Sequence, residues 1–149
     1  MIAALDACLR APTQVPPRAS VAEWWPRWRS AAALAASSVE QALLGGFDAD
    51  RVGWAFASGY QAALRALLPE LPADAVAAFC VTEESGNRPR DIHTRITPQA
   101  DGSVSISGAK RWTTLGPDSS LLLIVGALPP AEDSARAQLK VARVRKGLT

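Results

Sequence analysis

The chain is poor in the residues that bind metals or cross-link a fold: it has one histidine, one methionine and two cysteines in 149 residues. Cys8 and Cys80 stand far apart with no Cys-x-x-Cys pairing. That spacing excludes a zinc-knuckle signature and a disulfide-stapled secreted scaffold, and points to a reducing, cytoplasmic compartment. His93 has no second histidine, cysteine or carboxylate cluster at ligand spacing, so no metal site is expected. An excess of one charge is also missing. Sixteen basic residues are interleaved with 14 acidic ones for a net charge of +2, which gives no general attraction to nucleic acid or to an anionic membrane. Long hydrophobic runs are absent as well. The longest, LLLIVGAL at 121–128, is too short to span a bilayer, and the opening MIAALDACLR has no basic start and carries Asp6. Neither membrane insertion nor export is therefore expected.

What is present is ample apolar material, 48% of a 15.7 kDa chain, enough for one domain or two small ones. A short helix is expected at the start, followed by the proline-bearing strap APTQVPPRAS, where consecutive prolines favour extended backbone. Ser20 stands three residues before Glu23, the spacing of a capping box. It opens a helix predicted over 21–44, with Pro26 in its first turn or at a kink and Gly45-Gly46 ending it. Asp48 is expected to cap a second helix over 49–68, in which Val52, Phe56, Tyr60, Ala63, Leu64 and Leu67 recur at helical spacing until Pro69. Asp74 caps a short turn. The period then changes to strands, predicted at 77–83, 91–98, 103–114, 120–128 and 138–145, with Asp101-Gly102 as a hairpin turn. The fold class is thus α+β, an N-terminal α-helical region followed by an incomplete antiparallel β-barrel or sheet domain. Its boundaries are 1–19 for the short helix and linker, 20–77 for the helical domain and 78–149 for the partial β-domain. The last strand leaves an open edge, and the cations of KVARVRK read as a solvated face protecting it.

Two stretches carry candidate chemistry. In SGAKRWTTLG, strand alternation from Val104 puts Gly108, Lys110, Trp112 and Thr114 on one face. Taken alone the decapeptide reads as core packing followed by turn threonines; the alternative is a planar wall with a hydroxyl beside it, suited to a flat heteroaromatic ligand. In VTEESGNRPRDIHT, a strand ends in a polar loop with Arg88 and Arg90, either a solvated loop or a cradle for a diphosphate. A nucleophilic triad of Ser85, His93 and Asp91 has little support, since no Gly-x-Ser-x-Gly elbow surrounds Ser85. The tryptophans 24, 25 and 28, at helical spacing, read as a seal of the helical pair or as a partner surface.

Taken together, FCVTEESGNRPRDIHT, a hairpin with Asp-Gly, and ISGAKRWTTLGPDSSLLLIVGAL resemble the acyl-CoA dehydrogenase family, at the start of its middle β-domain, over roughly residues 50 to 145. Gly108, Lys110, Trp112, Thr114 and Gly116 fall in register with the family's Gly-x-Lys-x-Trp-Ile-Thr-Asn-Gly segment. The resemblance implies an FAD-dependent oxidoreductase of fatty acid metabolism that takes an acyl-CoA substrate. A carboxylate base removes the α-proton and the β-hydride passes to flavin N5. It further implies that Trp112 packs along the flavin, that Thr114 hydrogen-bonds near N5, with Thr113 turned away, and that Thr82 contacts the pyrimidine end. Gly86 and Asn87 stand where the family's Gly-Ala-Gly-Ser-Asp loop approaches the diphosphate and acyl-CoA.

The chain departs from the family pattern at that loop, which is one residue shorter and lacks the proline after Thr-Glu, and at Thr113 and Leu115. The helical domain is also short, and no residue takes the role of base, so the chain is expected to be a fragment that is inactive alone. An electron-transfer acceptor and homo-oligomerisation of the full-length protein are expected with the family. The alternative is a truncated, non-catalytic flavin-binding or assembly module.

Overall fold

The computed structural model describes residues 2–10, 14–129 and 138–147. Four α-helices precede five β-strands among them, an α+β fold, and the chain divides into two compact units, Met1–Val76 and Ala77–Thr149.

The first unit is built from α1 (Ile2–Arg10), α2 (Val21–Ala32), α3 (Ser38–Phe47) and α4 (Val52–Leu67). Ser20 caps α2 as its spacing predicts, its hydroxyl accepting from the Glu23 N–H at 3.3 Å, while the Glu23 carboxylate reaches back to the Ala19 N–H at 2.9 Å. The single helix expected over 21–44 is two helices. Ser37 caps α3 by accepting from the Glu40 N–H at 3.2 Å, and Glu40 accepts from the Ala36 N–H at 2.8 Å. This second capping box satisfies orphan donors that a continuous helix would not have, and so it stabilises the break. Gly45 and Gly46 lie inside α3 instead of ending it. A Cβ at Gly45 would stand 2.6 Å from both Ser58 Cβ and Trp28 Cδ1, so the glycine is what lets α3 approach α2 and α4. Asp48 does not cap α4, whose N-cap is Arg51. Its carboxylate instead receives Arg18 at 2.9 Å and Arg27 at 3.1 Å.

Indoles fill the centre of this unit. Trp24 and Trp54 stack at 5.3 Å, Trp25 and Trp28 at 5.0 Å, and the Trp24 N–H donates to the fully buried Ser58 hydroxyl at 3.3 Å. The tryptophans at helical spacing are therefore core: Trp24 and Trp28 are each only 2% exposed. Burial of an indole together with a satisfied N–H is the most stabilising use of the residue.

The second unit is a five-stranded sheet of β1 (Ala77–Cys80), β2 (Arg95–Pro98), β3 (Val104–Ser107), β4 (Leu121–Ala127) and β5 (Leu139–Arg145). β4 is its buried spine, pairing β1 in parallel and β5 in antiparallel sense, while β2 and β3 form the expected hairpin. β2 joins β4 at Arg95 and Ala127, also in parallel. The sheet is thus mixed and not closed, where the strand pattern predicts antiparallel pairing throughout. The hairpin and the long loop after it turn the chain round before β4, which then runs in the direction of β1. Gly102, at φ +82°, makes the hairpin turn. The cations Lys140, Arg143 and Arg145 of β5 are exposed, as an edge strand requires.

Candidate functional site

The predicted strands at 77–83 and 103–114 are much shorter in the structure, ending at Cys80 and Ser107, and the loops that leave their ends form the site. Gly108 lies at φ +153° against Thr94, where a Cβ would meet the Thr94 backbone at 2.7 Å. A glycine inside a strand pattern marks such a close approach. From there the chain leaves the sheet, and the Arg111 N–H donates to the Thr82 carbonyl at 2.9 Å, so the loop 108–114 is laid beside the end of β1.

One ion pair holds this arrangement. Lys110 Nζ donates to the Glu83 carboxylate at 2.7 Å and to the Val81 carbonyl at 2.9 Å, both side chains being almost fully covered, at 9% and 7% exposure. Glu83 also accepts from the N–H of His93 at 2.7 Å and of Thr94 at 2.9 Å. A single carboxylate thereby ties the end of β1, the approach to β2 and the loop after β3. Burial alone pushes Glu83 up. The hydrogen bonds from Lys110 and from the backbone N–H groups of Thr94 and His93 outweigh it and hold the carboxyl at about 2.

Trp112 and Thr114 do not sit on a strand face. Trp112 has φ +60° and is 85% exposed; Leu115 also has positive φ, at +59°, and Thr114 is half-buried in the adjoining turn. Alternation stops at Gly108, so the shared face derived from it is lost. Thr113 lines a solvent-open cavity of about 370 Å3 with Cys80, Thr94, Ile106, Lys110 and Ile124, while the Trp112 ring stands in solvent. Burial raises the Cys80 thiol, against smaller opposing effects from the Thr113 hydrogen bond and the Lys110 and Lys146 charges.

Thr82 is half-buried and adjoins this loop through the Arg111 contact. Gly86 and Asn87 lie beyond Glu83, across a tight turn closed by the Glu83 N–H to the Gly86 carbonyl at 2.8 Å and the return bond at 3.1 Å. Gly86 is at φ +135°, with a Cβ position 2.6 Å from Asp91 Oδ2, and Asn87 is exposed. The structure thus brings Thr82 and the 110–114 loop together and leaves Asn87 in solvent on a separate turn. Ser85, His93 and Glu83 line one small cavity of about 200 Å3. The Ser85 hydroxyl, however, donates to the Asp91 carbonyl at 2.9 Å and not to the imidazole, which leaves no activated nucleophile.

Glu83 is a site residue that motif register alone does not single out. Its signal is nonetheless in the sequence: an acid directly after Thr82 and a lysine two residues before Trp112 are opposite charges in the two stretches that carry the candidate chemistry.

Comparison with known proteins adds a relationship of limited extent. The chain is 36% identical over 70 residues to a probable acyl-CoA dehydrogenase, FadE10, of Mycobacterium bovis, and equally to the protein of that name in two strains of Mycobacterium tuberculosis. The match takes in 46% of this chain and 11% of the relative, so the matched stretch spans about a tenth of the length of the proteins it resembles. No protein-family model matches it. Among the described residues, no group of histidine, cysteine and carboxylates is placed to hold a metal ion, and no helix is long and apolar enough to cross a membrane.

Proposed function

We propose that the chain is the flavin-binding portion of an FAD-dependent acyl-CoA dehydrogenase-like oxidoreductase. The observation that carries this reading is the loop held by Lys110 and Glu83, which leaves the Trp112 indole 85% exposed on backbone at φ +60°. Such a conformation costs a non-glycine residue about 1–2 kcal/mol, and protein packing around the ring does not offset it. A large flat ring held out on a strained loop suits a planar partner that covers it. The 36% identity over 70 residues to a probable acyl-CoA dehydrogenase supports the same reading.

In this proposal Trp112 lies along the isoalloxazine ring, Thr114 donates its hydroxyl near N5 and Thr82 meets the pyrimidine end. Gly86 and Asn87 face the diphosphate and the acyl-CoA substrate. FAD, when bound, supplies a two-electron acceptor for the hydride of an acyl thioester. The part played by these residues is to position and hydrogen-bond. No residue of the chain is assigned as the base, and the electron acceptor and homo-oligomerisation belong to the protein of which this chain would be a portion.

Titration of FAD with the purified chain tests the proposal, read by flavin fluorescence and by the visible spectrum. Saturable quenching with a resolved flavin band is expected, weakened at least about tenfold in Trp112→Ala and less in Thr114→Val. Unchanged flavin fluorescence with the folded wild-type chain overturns it.

A further inference from the structure

The large apolar residues of α4 face out of the helical unit. Val52, Phe56 and Leu67 are 85%, 60% and 74% exposed, and Ala63 lies exposed on the same stripe, while the buried side of the helix is made by Ala57, Ser58, Gln61, Ala62 and Leu64. A surface helix ordinarily turns charged and polar side chains to water on that outer side. α4 has no charge there. Its one charged residue, Arg65, stands on the opposite side from Phe56, with the guanidinium over the rings of Trp25 and Trp28 at 5.1 and 5.3 Å.

Two glycines add to this. Gly53 and Gly59 lie inside α4, where glycine is less favourable than alanine. Among the described residues, a Cβ at either position would meet nothing within 4 Å, so the packing of the helical unit does not require them, as it requires Gly45. Their bare backbone suits the close approach of another helix. The stripe is also complementary to itself. Reversal about the point midway between Gly59 and Tyr60 exchanges Val52 with Leu67 and Phe56 with Ala63. A second α4 laid antiparallel on the first therefore sets each Phe56 ring, which stacks on Tyr60 at 6.1 Å, level with the small Ala63 of the other copy, and brings the two Gly59 residues together at the centre. A two-fold interface consists of such exchanges of i with j and j with i, and an unrelated partner has no need of them.

We infer that the outer face of α4 docks a second copy of this chain, antiparallel and two-fold symmetric about Gly59. Covering both stripes removes on the order of 1,000 Å2 from water, the lower limit of a specific interface. The dimer is accordingly weak and reversible, with a dissociation constant on the order of 10–100 µM. It rests on no part of the flavin reading.

Sedimentation velocity of the 149-residue chain from about 1 µM to about 500 µM tests the inference. A monomer–dimer transition is expected in that range. Phe56→Lys should shift it at least about tenfold to higher concentration, and Leu34→Lys, at an exposed leucine just beyond α2, should leave it in place. Both replaced side chains are exposed, so the fold is kept, which circular dichroism checks. Cysteine cross-linking under mild oxidation then reads the register. Gly59→Cys should link to itself, whereas Val52→Cys should link to Leu67→Cys and not to itself, because the two Val52 positions lie about 22 Å apart. Cys8 and Cys80 are buried, so the wild-type chain should stay unlinked. A chain that remains monomeric throughout, its α4 face then belonging to a different polypeptide, overturns the inference. So does a dimer that Phe56→Lys leaves intact, or Val52→Cys that links to itself as readily as to Leu67→Cys.

Discussion

Glu83 makes more of the β-unit's order than any other single side chain described, because its partners come from three separate segments. Replacing it by glutamine keeps the shape and removes the charge, leaving the Lys110 ammonium in a covered position with neutral acceptors only. Breaking a covered ion pair at one partner is more damaging than losing an exposed one. Glu83→Gln is expected to destabilise the chain by about 2–3 kcal/mol in urea unfolding. Glu84→Gln serves as the control, since its pair with Arg111 is exposed at both ends, and it should change stability by less than about 0.5 kcal/mol. Trp112 gives the opposite prediction. With its ring in solvent and φ at +60°, glycine there removes strain, and the gain offsets the added freedom of the unfolded chain. Trp112→Gly should leave the melting temperature unchanged or slightly raised while weakening flavin binding. A clear drop in melting temperature would show that the indole serves packing.

Elements are legible in the sequence where one local signal dominates. The 3.6-residue spacing of apolar positions locates α4 but not its buried face, since Val52, Phe56, Ala63 and Leu67 are exposed while Ala57, Ser58, Gln61, Ala62 and Leu64 are buried; Ser20 with Glu23 opens α2, and Asp101-Gly102 turns the hairpin between β2 and β3. The differences arise where a local signal competes with a longer pattern. Ser37 and Glu40 have the same spacing as Ser20 and Glu23, yet the alanine-rich run before them favours one continuous helix. Gly108 interrupts an alternating pattern, and extending the strand past it produces a shared face for Trp112 and Thr114 that the chain does not have. The identities of the candidate site residues are readable from motif register. Their geometry is not, because the Lys110–Glu83 pair and the Arg111–Thr82 bond join residues more than 25 apart, and no local periodicity encodes such contacts. The break before α3 and the close packing of α3 both yield measurable expectations. Ser37→Ala removes the cap of α3 and should destabilise the helical unit by about 1 kcal/mol. Gly45→Ala, forced against Trp28 and Ser58 at 2.6 Å, should cost about 1–3 kcal/mol despite the better helix propensity of alanine. If thermal unfolding showed Gly45→Ala to be stabilising, the close approach of α3 to its neighbours would be refuted.

For the molecule as a whole, the titrating groups define a window of stability. Glu83, Glu40, Asp50 and Asp101 are all held below their ordinary values: Glu83 and Asp101 by hydrogen bonds, Glu40 by hydrogen bonds that include its own capping box and Asp50 by Arg51. A carboxylate depressed in the folded state contributes stability that is fully present above its unfolded pKa and is lost as pH falls towards the folded one. For Glu83 that interval runs from 4.5 to about 2. The buried thiols of Cys8 and Cys80 act at the other end. Burial raises both above 9.0, so the stability of their neutral form is present below that value and declines as pH rises past it. Stability should therefore be flat between about pH 5 and pH 8 and fall on both sides. Glu83→Gln separates this linkage from general acid effects. Glutamine does not titrate, so the variant should show a shallower acid limb, and its deficit relative to the wild type should shrink steadily as pH is lowered from about 5 towards about 2. Urea unfolding at stepped pH measures the difference directly. A deficit that stays constant over that range would mean that the carboxyl is not depressed and that the Lys110 contact contributes little to holding the loop.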